Sequence, residues 1–220
     1  MDTSRDPNKT PSPGCHGEGG KFRRLTGIMD NAQDPITGGK TVTEPELIRR
    51  SKGGSREAFG QLVSRYQVPV YRVVRGILGS PSESEDVAQE VFLKAYGNLA
   101  KFRGESGFFT WLYRIAVNEA LRARKRRSFA NADALPEVVA PPTPPAEEDA
   151  PTLATLEKLL RKLSDEFRSI VVLRDIEGMS YSDIAETLAI PIGTVESRLF
   201  RARQELRTLW RKSKEAKNVL

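Results

Sequence analysis

Histidine and cysteine, two residue types that often carry out catalysis or bind metals, are almost missing from this sequence of 220 residues. Its one cysteine and one histidine, Cys15 and His16, are neighbours in an N-terminal stretch rich in Gly and Pro. The rest of the chain therefore lacks the side chains for imidazole catalysis, for a Ser-His-Asp or Cys-His nucleophile, for a zinc site of Cys and His, and for a disulfide. We expect a protein that is not an enzyme and that holds no cofactor and no metal.

Charge and hydropathy narrow the class of protein further. The 35 Lys and Arg residues outnumber the 29 acidic residues, which gives a net charge of +6. Such an excess indicates a polyanionic partner such as nucleic acid. The sequence has no run of about 18 apolar residues that would span a membrane, and residues 1–30 lack the apolar core of a signal peptide. We therefore expect a cytoplasmic protein.

Three polar residues, Asp86, Gln89 and Glu90, are spaced i, i+3 and i+4, so they share one face if the segment is helical. Acidic groups repel DNA, which makes a docking surface for another protein the better explanation of a cluster in a basic chain. An ordinary solvated surface explains the spacing equally well.

Aromatic and basic residues are interleaved over 102–114. Single-stranded nucleic acid requires rings that stack on unpaired bases and cations that bind the backbone. Some of the rings must instead belong to the core. The residues expected to be exposed are Phe108, Phe109 and Arg103, and those assigned to packing are Trp111 and Ile115.

The spacing of apolar residues predicts the helices that would position these groups. Over 83–98 apolar side chains recur at steps of three and four, and Ser82 with Glu85 forms a capping box at the start. A second helix is predicted over 106–127. A third, upstream, is expected to end or bend at Pro69 before its pattern resumes.

Another constellation lies near the C-terminus. Ser180 and Asp183 form a capping box that opens a short helix over 183–188, and a turn over 189–191 leads into a long helix from Ile192. A short helix, a tight turn and a longer helix are typical of a helix-turn-helix, which binds DNA through its second helix.

The exposed face of this long helix is predicted to be strongly basic. Cations at this density suit the DNA major groove and the phosphates beside it, with the N-terminal positions contacting bases. Without the preceding turn, a solvated face would explain them as well. The basic residues are Arg198, Arg201, Arg203, Arg207, Arg211, Lys212 and Lys214.

Two segments interrupt the helical pattern. Residues 1–43 hold seven of the 17 glycines and four of the 14 prolines, which predicts a disordered tail. Residues 129–151 are rich in proline and carry acidic but no basic side chains, which predicts a flexible linker. This linker is either a solvated connection only or an acidic arm that avoids DNA or imitates it. We therefore predict an all-α fold of two small helical domains, 44–128 and 152–214, followed by a short tail over 215–220.

Three runs of residues make the chain resemble the sigma factors of the sigma-70 family, in particular the two-domain extracytoplasmic-function (ECF) type. They are SEDVAQEVF over 84–92, FRGES over 102–106 followed by TWLYRIA over 110–116, and GTVESRLFRAR over 193–203. The match covers about residues 44–212. It implies an alternative sigma factor that directs core RNA polymerase to promoters, with region 2 in the first domain and the helix-turn-helix region 4 in the second.

The resemblance also implies partners. The first domain would dock on the clamp helices of the largest polymerase subunit, contact the −10 promoter element and help to trap the melted strand. The second domain would lie near the flap region of the polymerase and contact the −35 element. An anti-sigma factor, often membrane-bound, would regulate the protein, and no small-molecule substrate is implied.

The same resemblance assigns roles to individual residues. Polymerase docking falls to Asp86, Gln89, Glu90 and Phe92. Binding of the −10 element falls to Arg103, Phe108, Phe109, Arg114, Asn118 and Arg122. Binding of the −35 element falls to Thr194, Glu196, Ser197, Arg198, Phe200 and Arg201.

Two residues depart from the family pattern. Glu196 stands where many relatives carry a basic or neutral residue, so the −35 sequence is expected to differ, for example through acceptance of a hydrogen bond from a cytosine amino group. Gly107 replaces a larger residue and makes the loop before Phe108 more flexible.

Two other classes of protein stay open on the residues alone. A free-standing helix-turn-helix repressor would use the same C-terminal block, but it has no need for an acidic docking face beside an aromatic strand-binding segment. An enzyme acting on nucleic acid would need a carboxylate cluster for metal ions or a base in a cleft, whereas the acidic residues here lie on the docking helix or in the linker.

Overall fold

The computed structural model describes residues 42–130 and 153–217, which belong to one compact unit spanning Gly38–Leu220. Every regular element in these described ranges is a helix, so the predicted all-α fold is confirmed. The predicted tail up to residue 41, the predicted linker from residue 131 and the last three residues lie outside the described part of the chain.

Four helices form the first block. They are α1 Glu44–Lys52, α2 Arg56–Leu78, α3 Pro81–Asn98 and α4 Phe108–Ala130, with a 3₁₀ turn over Leu99–Lys101 after α3. α2 packs against the other three helices. Its Leu62, Val70 and Val74 are buried with Leu112 and Ala116 of α4, so α2 is the centre of this block.

Two sequence-based predictions for this block concern helix ends, and the one for α3 is wrong. Of the two outcomes expected at Pro69, an end or a bend, the end does not occur, since α2 runs through this residue. The buried side chains on both sides of Pro69 offset the missing backbone hydrogen bond, whose loss with the ring clash costs about 3 kcal/mol. α3 begins at Pro81 after the N-cap residue Ser80, so Ser82 and Glu85 form no capping box. Proline suits the first helical position because its fixed φ matches the helix and its missing N–H would be unpaired there anyway.

The second block contains the predicted helix-turn-helix. Its helices are α5 Leu153–Lys162, α6 Asp165–Val171, α7 Tyr181–Leu188 and α8 Ile192–Lys217, and a π-helical turn over Val172–Ile176 continues α6. The Ser180 hydroxyl accepts a hydrogen bond from the backbone N–H of Asp183 at 3.1 Å, as the capping box predicts. Ala189 adopts the left-handed conformation, φ 53°, and turns the chain from α7 into α8.

The two blocks pack against each other through α2 and α4. α2 contacts α5, α6 and the π-helical turn, and α4 contacts α7. A Cβ atom on Gly76 would lie 2.7 Å from Cγ2 of Val172, closer than real Cβ contacts allow. Glycine at this position therefore permits the close approach of α2 to the second block.

Polar side chains join the blocks as well. Arg72 donates hydrogen bonds to both carboxylate oxygens of Glu177, at 2.7 and 2.9 Å, and the Tyr113 hydroxyl donates a third at 2.8 Å. We call these three residues the interblock cluster. Arg168, which is fully buried, donates to the carbonyl oxygen of Ile77 at 2.8 Å and so satisfies an acceptor in the last turn of α2 that has no partner within the helix.

Candidate functional site

The acidic face predicted on α3 is present and partly neutralised. Asp86 and Gln89 are exposed. The Glu90 carboxylate lies 2.8 Å from Nζ of Lys94, and Lys94 also contacts the buried Glu119 of α4. The hydrogen bond from Lys94 lowers the pKa of Glu90. Asp86 is therefore the more available negative charge on this face.

An apolar groove between α2 and α3 adjoins the acidic face. Leu93 has 74% of its surface exposed, and Tyr96 has 41%. These are two of the five large apolar side chains that are exposed among the described residues, and both line this groove. We call it the α2–α3 groove, and its lining includes Phe59, Val63, Gln89, Phe92, Leu93 and Tyr96. The sequence pattern did not single out Leu93 and Tyr96, although Leu93 follows Gln89 by one helical turn and could have been placed on the same face.

The aromatic residues at the start of α4 divide differently from the prediction. Phe108 is 3% exposed, and its ring centroid lies 5.5–5.6 Å from those of Tyr66, Phe102 and Trp111. The expectation that Phe108 is exposed is therefore wrong: its ring packs inward within this aromatic cluster. Phe109 is half-buried with its ring 4.2 Å from that of Tyr113.

The remaining residues assigned to the −10 element differ in exposure. Arg103 is 82% exposed at its side chain, and Asn118 is exposed. Arg122 is also exposed and donates to the Glu119 carboxylate at 2.8 Å. Arg114, however, donates to the backbone carbonyl of Glu186 on α7 at 2.6 Å, so part of the α4 surface is in contact with the second block.

On α8, the residues assigned to the −35 element form an exposed stripe with two exceptions. Glu196, Ser197, Phe200 and Arg201 are exposed, whereas Thr194 is half-buried. Arg198 is 29% exposed at its side chain, and its Nη2 atom lies 3.1 Å from the Glu166 carboxylate.

The basic face of α8 is thus less uniform than predicted. Arg203 pairs with Asp175, whose hydrogen bond raises the pKa of the guanidinium. Arg198 and Arg203 thus pair with acidic residues elsewhere in the second block, which the sequence pattern did not indicate. Arg201, Arg207, Arg211 and Lys212 are exposed and remain available for phosphates.

Two further observations concern the described residues alone. No group of three or more His, Cys, Asp or Glu side chains within them is placed to hold a metal ion. None of the described helices is both long enough and apolar enough to cross a membrane. Cys15 and His16 lie outside the described part of the chain.

Comparison with known proteins identifies both blocks. The family model for Sigma-70 region 2 matches residues 62–129, and the model for Sigma-70 region 4 matches residues 153–206. The RNA polymerase sigma-H factor of Pseudomonas aeruginosa is 37% identical over 178 residues, which are 74% of this chain and 91% of that protein. The ECF RNA polymerase sigma-E factor of Haemophilus influenzae is 41% identical over 177 residues, 74% of this chain and 93% of that protein.

A solved structure has a similar fold. The sigma factor RpoE of Bartonella quintana, in complex with the anti-sigma factor NepR, superposes with a TM-score of 0.59 and 28% sequence identity, covering 70% of this chain and 96% of that chain. A helical transcription-initiation factor with a DNA-binding helix-turn-helix is the class that these matches define. The chain belongs to the sigma-70 family, within its extracytoplasmic-function group. It is an alternative sigma factor, which directs RNA polymerase to promoters.

Proposed function

We propose that α3 and the α2–α3 groove bind the clamp helices of the largest polymerase subunit. The exposed Asp86 and Gln89, with the apolar Leu93 beside them, support this assignment, because an interface combines an apolar centre with polar groups around it. Glu90 and Phe92 belong to the same surface. The second block is proposed to lie near the flap region of the polymerase.

We propose that α4 and the loop before it bind the −10 element. The positive charge and the aromatic rings there suit an unpaired strand. Arg114 becomes available to the strand when α7 moves away from α4, whereas the half-buried Phe109 packs against Tyr113 of its own helix. Phe108 is assigned to support of the loop, because its ring is buried. The members already exposed are Arg103, Asn118 and Arg122.

We propose that α8 enters the major groove at the −35 element. Its exposed stripe lies at the N-terminal half of the second helix of the helix-turn-helix, the part that contacts base edges in this motif. The residues assigned to base edges and adjacent phosphates are Thr194, Glu196, Ser197, Arg198, Phe200 and Arg201.

The two blocks must separate on a promoter. The −10 and −35 elements are about 25 base pairs apart, or roughly 85 Å at 3.4 Å per base pair. A compact unit of this length has a radius of gyration of only about 16 Å. The contact between Arg114 and Glu186 therefore belongs to a closed form that does not occupy both elements.

We propose that an anti-sigma factor holds the chain in an inactive state, because the RpoE relative was solved with one. The chain itself needs no catalytic groups or cofactor, since RNA polymerase carries out the chemistry of transcription. Its work is proposed to take place in the cytoplasm, where polymerase and promoter DNA meet.

The observation that carries these proposals is that one chain combines an exposed docking face on α3 with an exposed recognition helix α8. The test is reconstitution of the protein with core RNA polymerase and a library of promoters, followed by sequencing of the run-off transcripts. Promoter-specific initiation that depends on the protein is the expected result. Binding to an operator without initiation, or cleavage of the DNA, would support the rival classes instead.

A matched pair of variants tests the docking surface. Asp86→Lys is expected to weaken binding to core polymerase at least about tenfold, because it replaces the more available acid on the α3 face with a cation. Glu105→Lys makes the same charge change on an exposed loop residue and should leave core binding unchanged. Equal affinities of the two variants would remove α3 from the interface.

A further inference from the structure

The exposed stripe of α8 contains one acidic side chain, Glu196, the fifth residue of the helix. Its neighbours on the stripe are Ser197, Phe200 and Arg201, which are also exposed. Positions near the start of a recognition helix reach base edges, whereas later ones meet phosphates. Glu196 therefore lies where a side chain contacts a base.

The negative charge of Glu196 is not neutralised by its surroundings. Within the described ranges, no cationic side chain lies at ion-pair distance from its carboxylate. Arg198 and Arg203, which follow Glu196 on α8, pair instead with Glu166 and Asp175. A bare carboxylate beside DNA is repelled by phosphates, so its cost must be offset by a hydrogen-bond donor on a base.

The four bases differ in what they offer a carboxylate in the major groove. Guanine presents two acceptors, and thymine presents an acceptor and a methyl group, so both disfavour it. Adenine presents its N6 amino donor next to the N7 acceptor, which repels the second carboxylate oxygen. Cytosine presents its N4 amino donor and carries no acceptor on its own major-groove edge, so it suits a carboxylate best.

We propose that Glu196 selects cytosine at one position of the −35 element by accepting a hydrogen bond from its N4 amino group. This inference rests on the proposed placement of α8 in the major groove and adds to it a specific residue and base. The opposite base at that position is guanine, so the preference has a strand sense that can be measured.

The test compares three proteins in complex with core RNA polymerase on a library in which every −35 position is randomised. They are the unchanged chain, Glu196→Gln and Glu205→Gln. Glutamine is isosteric with glutamate but pairs with adenine through both N6 and N7. Glu205 is half-buried and nine residues further along α8, on the opposite side of the helix, so its variant controls for the loss of one charge.

The unchanged chain is expected to favour cytosine at one position by about 5- to 20-fold over the other bases. Glu196→Gln should change the preference at that position alone to adenine, and Glu205→Gln should retain cytosine. The inference is overturned if Glu196→Gln selects the same base as the unchanged chain at every position, or if the altered position originally favours another base. If none of the three proteins supports promoter-dependent transcription, the proposed function fails together with the inference.

Discussion

Glu177 has 2% of its side chain exposed and accepts hydrogen bonds from Arg72 and Tyr113, which belong to the other block. Removing one member of a fully buried ion pair costs about 3–5 kcal/mol, because the remaining charge loses its compensation. Arg72 keeps 30% of its side chain exposed, so water recovers part of this cost. A single carboxylate thus contributes to the contact between the blocks.

Replacing Glu177 with glutamine is expected to lower the free energy of unfolding by about 2 kcal/mol, since Arg72 is left without a counterion. Denaturant unfolding measures this difference. Glu186→Gln is the matched control, because its carboxylate lies 3.6 Å from Arg114 but is 44% exposed. An exposed pair contributes at most about 1 kcal/mol, and a loss in the control as large as that of Glu177→Gln would contradict the importance of burial.

Tyr113 provides a dependence of stability on pH. Burial and, next, the charge of Glu177 raise the pKa of its phenol above the ordinary value. Below about pH 10 the phenol is protonated in both the folded and the unfolded chain, so its contribution to the free energy of unfolding does not change with pH. Above that pH the unfolded chain loses the proton while the folded chain retains it, and the contribution to stability falls as pH rises.

The measurement compares the denaturant midpoints of the unchanged chain and of Tyr113→Phe at about pH 8 and at about pH 11. The unchanged chain should lose more stability between the two conditions than the variant does. Equal losses in both proteins would contradict the prediction, because they would show that folding does not raise the pKa of Tyr113.

Helix α2 shows how an element adapts to its neighbours. It contains glycines at positions 60 and 76, which the sequence pattern does not distinguish. A Cβ atom on Gly60 would have no neighbouring atom within 4 Å, whereas a Cβ on Gly76 would lie 2.7 and 3.0 Å from the two γ-methyl carbons of Val172. Only the tertiary contact separates a replaceable glycine from a required one.

Alanine at each of these glycines should therefore have opposite effects. Gly60→Ala is expected to stabilise the fold by about 0.5–1 kcal/mol, because alanine favours the helix. Gly76→Ala is expected to destabilise it by about 1–3 kcal/mol through overpacking against Val172. Paired denaturant curves measure both changes, and stabilisation by Gly76→Ala would mean that the α2 contact with the second block is loose.

At the same scale, local signals explain which elements could be predicted from the sequence. The cap at Ser180 and the turn at Ala189 depend on neighbouring residues, so the helix-turn-helix was predictable. Pro69 and Phe108 depend on distant partners: packing on both sides of Pro69 keeps α2 continuous, and three other rings bury Phe108. Periodicity cannot reveal such partners, and the same holds for the pairing of Arg198 with Glu166.

Over the part of the molecule that the structure describes, the closed arrangement neutralises cations of the first block with carboxylates of the second. Arg72, Arg75 and Arg124 of the first block pair with Glu177, Glu157 and Asp165 of the second. Separation of the blocks frees these three arginines. Each phosphate that a freed cation then neutralises steepens the fall of log affinity with log salt by about 0.9, so opening and DNA binding favour each other.

Separation alone does not enable the protein to melt a promoter. Opening about ten base-pair steps costs on the order of 14 kcal/mol, at roughly 1.4 kcal/mol for each stack. Capture of one or two bases on aromatic side chains returns only about 1–3 kcal/mol per base. The isolated protein is therefore expected to bind promoter DNA weakly and to leave it double-stranded, whereas its complex with core polymerase should open it.

Permanganate footprinting, which detects unpaired thymines, measures this difference with and without core polymerase. Phe109→Ala in the polymerase complex should reduce the footprint, because the half-buried Phe109 ring is the aromatic group proposed to contact the strand. Leu121 is a half-buried residue further along α4, so Leu121→Ala controls for general loosening of the helix. Reactive thymines with the protein alone would contradict the energetic argument. A full footprint with Phe109→Ala would instead place the capture of the strand elsewhere on the first block.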